Sequence, residues 1–192
     1  MPERGDRQAG RSGGTGPLPG AALPIEALYQ DAQALDAAAF EARHGSGFLL
    51  VTALGSRGPE STNTTQLLFG GRDSERTGHT ADLAVVVYPL RQRDGAPVHI
   101  VTMGRERTHD VVIREMSVSR FHAFARRGAD GTFLVQDAGS TNGTTVNGAS
   151  VLARGAGPPT PLKPGDTVRL GQVEFTFTDA AALREFALQA GG

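Results

Sequence analysis

The amino-acid sequence predicts an all-β fold, a sandwich of many short strands, with a helical and β extension at the N-terminus and a short C-terminal helix. Three observations carry this reading. Short apolar runs recur at close spacing between Gly, Asn, Asp and Pro turns, the pattern expected of packed antiparallel sheets. Val173, Phe175 and Phe177 alternate with Glu174, Thr176 and Thr178, the period of a half-buried strand. Asn142-Gly143 and Asn147-Gly148 are strong hairpin signals, because both central residues of a type I′ turn need positive φ.

The chain has 192 residues, enough for one domain with appendages or two very small domains. Residues 1–24 are rich in Gly, Pro and Arg, lack periodicity and read as a disordered leader. Met1 to Gly20 has no apolar core of the kind a secretory signal needs. From Ile25 the pattern becomes helical: Ile25, Leu28, Tyr29, Ala32 and Leu35 fall on one face. Asp36 is placed to cap a second short helix, Ala37 to Arg43, ending at Gly45.

Beyond Gly45 the grammar is β. Phe48 to Val51 and Leu67 to Phe69 flank a polar loop, Ser56 to Thr65, and read as a hairpin that extends one sheet, since a lone hairpin is marginal in water. Phosphorylated at Ser61-Thr62-Asn63-Thr64-Thr65, that loop would become a ligand for another copy, although an ordinary polar connector is the simpler reading. Leu83 to Leu90 is nearly all apolar, as in a strand buried on both faces, and opens the sandwich on this reading. Val98 to Met103 follows the turn Arg93-Asp94-Gly95, and Val111 to Ile113 is a brief strand. Phe121 to Arg127 and Thr132 to Gln136 are joined by Gly128-Ala129-Asp130-Gly131, a hairpin turn. Lys163-Pro164-Gly165-Asp166 turns the chain into Val168 to Leu170, and Ala180 to Leu188 forms the last helix, with Leu183, Phe186 and Ala187 inward.

Composition narrows function. A net charge of −1 gives no global footprint for nucleic acid, and the Gly/Arg leader is read as solvated, so no nucleic-acid partner is expected. No apolar run is long enough to span a bilayer, so no membrane role is expected. The absence of cysteine rules out a disulfide framework and a thiolate metal site and fits a reducing, cytoplasmic setting. Lys163 is the only lysine among 19 basic residues, a bias that suggests a GC-rich bacterial genome.

Candidate chemistry lies in three polar clusters at the ends of apolar runs. Arg105 follows Gly104 at a strand end, and arginine suits bidentate capture of an oxyanion. Ser119 and Arg120 stand just before Phe121, where both can donate hydrogen bonds. His122, within the following strand, reads as a residue bracing the preceding loop. Thr141 and Asn142 sit at the tip of Asp137 to Thr144 and suit an anionic or peptide ligand. A Ser119, His122 and Asp137 triad fares poorly, because no Gly-x-Ser-x-Gly elbow accompanies it.

Taken in order, Gly104-Arg105, Asp110-Val111-Val112-Ile113, Ser119-Arg120-Phe121-His122, Asp137-Ala138-Gly139-Ser140-Thr141-Asn142-Gly143-Thr144 and Val146-Asn147-Gly148 closely resemble the forkhead-associated (FHA) domain family. Gly165-Asp166, Leu170-Gly171 and the closing alternating strand fit as well. The resemblance covers roughly residues 82–178, about half the chain. It divides the chain into a leader (1–24), an N-terminal extension of helix plus hairpin (25–80), an FHA domain (81–179) and a C-terminal helix and tail (180–192).

That resemblance implies an FHA-type β-sandwich of about eleven strands. It also implies recognition of phosphothreonine in partner proteins. Arg105 and Ser119 would then bind the phosphate oxygens, Thr141 would add a contact near them, and Asn142 would bond the peptide backbone. Arg120 would touch peptide or phosphate. Gly104, His122, Ser140, Gly143 and Asn147 would be architectural. No position departs from the family's pattern at the phosphate site. The implied protein is a non-catalytic phosphothreonine-peptide-binding module in Ser/Thr-kinase signalling, without cofactor or metal. Its partners would be kinase substrates or the kinase itself. A phosphate-independent FHA-fold scaffold is the alternative.

Overall fold

The computed structural model describes residues 22–54, 83–92 and 100–190. The expected strand Leu67 to Phe69, the Ser56 to Thr65 loop, the Arg93-Asp94-Gly95 turn and most of the leader lie outside these residues.

The chain enters at β1 (Leu23–Pro24), followed by α1 (Glu26–Ala34) and α2 (Ala37–His44). Ile25, Leu28 and Ala32 are the buried stripe of the first helix. Asp36 caps α2 by accepting from Ala39 N at 2.8 Å, and the Gly45 N–H closes it on Glu41 O. Leu23 and Pro24, assigned to the leader on sequence, instead pair with Val87 and Val86. Their proline stands on an edge strand, where a missing donor costs no ladder bond.

Among the described residues, twelve strands form two sheets. After β2 (Gly47–Leu54) and β3 (Leu83–Pro89) come β4 (Ile100–Gly104), β5 (Val111–Val112), β6 (Ala123–Arg127) and β7 (Phe133–Asp137). The remainder are β8 (Thr144–Val146), β9 (Ala149–Ser150), β10 (Thr160–Leu162), β11 (Thr167–Leu170) and β12 (Val173–Asp179), which runs directly into α3 (Ala180–Ala190). One sheet has the order β1-β3-β2-β12-β11-β8-β9, the other β10-β7-β6-β4-β5. Both apolar runs considered for the opening strand are thus in one sheet. β2, placed in the N-terminal extension on sequence, is interior, with Leu49 opposite Phe177 on one side and Tyr88 on the other.

The two sheets enclose one core, in which Leu49, Met103, Val111, Val135, Leu170 and Phe175 are almost wholly buried. Phe133 and Phe177 meet across it with ring centroids 5.5 Å apart. A second core lies on the outer face of the larger sheet, where Phe48, Leu50 and Val87 pack under Leu28, Phe40 and Leu183 of the helices. Successive residues of β2 therefore serve different cores: Phe48 and Leu50 face the helices, Leu49 and Val51 the sandwich. This is why the run reads as continuously apolar. The described residues form a three-layer stack of helices, seven-stranded sheet and five-stranded sheet.

Because Leu183 is fully buried against that second core, Leu183→Ala should lower stability by about 2–5 kcal/mol. Urea denaturation checks this. A loss near zero would mean that α3 is not integral to the fold.

Candidate functional site

Three loops meet at one end of the sandwich. The first leaves β4 at Arg105, the second runs from Ile113 to His122 before β6, and the third joins β7 to β8. Backbone bonds zip the first two together: Arg105 N donates to Ser119 O at 3.0 Å and Glu106 N to Arg120 O at 3.3 Å. The approach is so close that a Cβ on Gly104 would lie 2.1 Å from Arg120 O. Only glycine fits there.

His122 joins all three loops. Its ring is fully buried; Nδ1 accepts from Ser119 N at 3.0 Å and Nε2 donates to Gly143 O at 3.1 Å. These partners fix one neutral tautomer, and burial holds the imidazole below its ordinary 6.5, against the Gly143 hydrogen bond and the Asp137 charge. Asp137 shapes the third loop. Burial pushes its carboxyl up, but hydrogen bonds from Ser140, Thr144 and the Gly139 N–H prevail and hold it below the usual carboxylate value. Its oxygens engage Gly139, Ser140 and Thr144, while both His122 nitrogens are taken by backbone. Ser119, His122 and Asp137 therefore do not form a proton relay.

The side chains predicted to bind converge on this frame. Arg105, Ser119, Arg120, Thr141 and Asn142 all line a single open cavity of about 630 Å³. Arg105 Nε donates to Val118 O at 3.2 Å, which aims the guanidinium, and among the described residues its Nη2 has no hydrogen-bond partner. Ser119 Oγ accepts from Thr141 N at 3.0 Å, and among the described residues its own proton has only the Thr141 hydroxyl at 3.4 Å. Asn142 Nδ2 donates to Ser117 O at 2.8 Å, which leaves one amide N–H and the amide oxygen for a ligand. Arg120 is mostly exposed and 3.9 Å from Glu106.

Of the architectural set, Gly104, His122, Ser140 and Gly143 (φ +75°) stand directly behind the cavity. Asn147 does not. It lies past the far end of β8, where it bonds Asp166 Oδ1 and Thr167 N. Sequence reasoning missed five lining residues: Glu106, His109, Met116, Ser117 and Val118. It also gave Phe121 only a strand role, whereas the ring lines the cavity and stacks on His109 at 5.0 Å. Ser117 N and Oγ both bond the Glu115 carboxylate, which holds that carboxyl below its usual value. Ser117 had a local signal, a hydroxyl two residues before Ser119; the His109 and Phe121 stack had none.

The FHA domain family model matches residues 101–171. Those residues form an FHA domain. The match begins within β4 and ends just past β11, so β1, β2, β3 and β12 complete the larger sheet from outside it. An ABC transporter ATP-binding/permease protein of Mycobacterium tuberculosis is 34% identical over 116 residues, 60% of this chain and 13% of that protein. An oxoglutarate dehydrogenase inhibitor of Corynebacterium diphtheriae is 38% identical over 78 residues, 41% of this chain and 50% of that protein. The chain thus spans half or less of these curated relatives. Among solved structures, an FHA domain analysed for phosphothreonine-dependent interactions is 26% identical, covering 69% of this chain and 95% of that one, with a TM-score of 0.42. The FhaA FHA domain complexed with the intracellular domain of Rv3910 is also 26% identical, covering 68% and 98%, with a TM-score of 0.41.

Two predictions concern stability. Gly104→Ala places a methyl against backbone, and the resulting overpacking should cost about 1–3 kcal/mol in urea denaturation. The second concerns pH. His122 and His44 are both held below 6.5 by burial, so the unfolded chain binds protons before the folded one does. Stability should be full above 6.5 and fall as pH drops through that value toward the depressed folded values. The slope should be at most about 1.4 kcal/mol per pH unit for each histidine. Denaturation midpoints from about pH 7.5 down to about pH 5.5 measure it.

Proposed function

We propose that this FHA domain is a non-catalytic module that binds phosphothreonine peptides. The observation that carries the reading is the convergence of one guanidinium with the Ser119, Thr141 and Asn142 donors on a single open cavity. A phosphothreonine brings about −1.5 to −2 charges and three strong acceptors. Arg105 takes two phosphate oxygens through its guanidinium, Ser119 gives its hydroxyl proton to a phosphate oxygen, and Thr141 adds a hydroxyl beside them. Asn142 bonds the peptide backbone through the amide atoms that Ser117 leaves free. Arg120 reaches phosphate or peptide with Glu106 remaining its neighbour.

Charge-assisted bonds contribute roughly 1.5–3 kcal/mol each. Ordering a flexible peptide offsets much of that, so binding is moderate and reversible. Such binding suits a docking role in Ser/Thr-kinase signalling in the cytoplasm of a bacterium, with partners that are kinase substrates or the kinase itself. The binding module is residues 81–179, with β2 supplied by the preceding segment.

Titration with matched phosphothreonine, phosphoserine and unphosphorylated peptide libraries tests this. The first alone should bind. Arg105→Ala should weaken it roughly 10- to 150-fold, the equivalent of about 1.5–3 kcal/mol, with the fold intact by circular dichroism. Equal binding of all three libraries would replace this reading with a phosphate-independent scaffold.

A further inference from the structure

Three large apolar side chains are conspicuously exposed among the described residues: Met116, Phe121 and Leu152, at 79%, 44% and 48%. Two of them, Met116 and Phe121, line the same cavity as Arg105 and Ser119. An apolar ring held open to solvent at a ligand cavity is a place where burial can still be gained on binding. The Phe121 ring is also held still. It stacks nearly parallel on His109, with 5.0 Å between centroids and 20° between planes, and it leans on Phe124 at 6.3 Å. Phe124 is buried in β6, so the stack is anchored to the sheet.

Resting on the phosphothreonine reading above, we propose that Phe121 is a specificity-determining residue. The shelf it makes with His109 takes a large apolar side chain of the bound peptide, adjoining the phosphothreonine.

The position follows from chain geometry. Phe121 is two residues from Ser119, which places their Cα atoms roughly 7 Å apart at most, and an extended peptide advances about 3.3–3.6 Å per residue. The selected side chain therefore lies within about three residues of the phosphothreonine. Its class follows from the rim. Arg120 and Glu106 sit beside the shelf as opposite charges 3.9 Å apart, so neither sign of flanking residue is favoured. A leucine, isoleucine, methionine or phenylalanine gains area on the ring face; a charged residue loses hydration without a partner. Met116 differs from this shelf, because its Sδ lies 3.8 Å from Arg105 Nη1 and it packs on the phosphate-binding arginine itself.

The test is a phosphothreonine peptide array in which each flanking position is varied in turn, read with the full chain. Wild type should favour large apolar residues at one position within three of the phosphothreonine, by about tenfold over Asp or Lys. Phe121→Ser should abolish that preference while phosphothreonine still outcompetes threonine, and Phe121→Leu should retain it. Phosphate-dependent binding with flat flanking preferences would overturn the assignment and leave the phosphothreonine reading standing. So would a preference that survives Phe121→Ser, or one lost only in Met116→Ser. Absence of any phosphate-dependent binding would overturn both readings together.

Discussion

Ser119 and Thr141 stand 22 residues apart in the chain, and a buried imidazole does most to hold their loops in register. His122 offers two ring nitrogens, one backbone N–H and one carbonyl, and all four are used. The ring takes Ser119 N and Gly143 O; the backbone takes Met103 O and Ala138 N. With no exposure to solvent, any of these bonds that failed would leave a polar group unsatisfied in the interior, at roughly 1–3 kcal/mol. The ends of β4, the Ser119 turn and the loop before β8 are therefore fixed relative to one another before a ligand arrives. Asp137 performs the corresponding task within the third loop, collecting two backbone N–H groups and two hydroxyls on one carboxylate.

A site fixed this way can recognise an anion without a strong surrounding field. The chain is nearly neutral, and the cavity itself mixes Arg105 and Arg120 with Glu106, while Glu115 lies close enough to Arg105 to feel its charge. On the proposed reading, discrimination comes from geometry: one guanidinium whose Nε is tied to Val118 O, a serine whose lone pair is occupied and whose proton makes only a long bond to Thr141 Oγ1, and an asparagine held by one arm. Preorganisation lowers the ordering cost on the protein side, so on the proposed reading the entropy opposing binding would be mainly the peptide's.

Local signals in the sequence decided several features and misled at one. Asn147-Gly148, both at positive φ, turns β8 into β9. Asn142 is not at positive φ, and Asn142-Gly143 joins strands of different sheets, because the loop is shaped by Asp137 and His122 and not by a two-residue hairpin. The buried stripe of α1, the Asp36 cap, the turn at residues 128–131 and the alternation of β12 all match the coordinates. Strands β1, β8, β9 and β10 escaped because two or three residues carry no measurable period. The interior place of β2 escaped for a different reason. Its apolar run says that both faces are covered, but nothing in Phe48 to Val51 names β3 and β12 as its neighbours. In the cavity, the predicted donors could be placed because their order along the chain is distinctive. The His109 and Phe121 stack depends on two residues brought together by the β4 and β6 pairing, and no spacing rule points to it.

The helical layer, remote from the cavity, bears on it through β12. Under α3, the strand is clamped between β2 and β11, and its N-terminal turn reaches the site directly. Gly171 N donates to Gly143 O at 3.1 Å, and Gln172 N donates to Ser117 Oγ at 2.9 Å. Gly171 passes so close to Ser117 that a Cβ there would lie 2.5 Å from the Ser117 carbonyl oxygen. That same oxygen holds Asn142. A contiguous path thus runs from the second core through β12 and its turn to the amide that would meet the peptide backbone. Helices and β2 flank a sheet whose far end touches Ser117, the partner of Asn142, so the segments outside the FHA match are in continuous contact with the lining of the cavity.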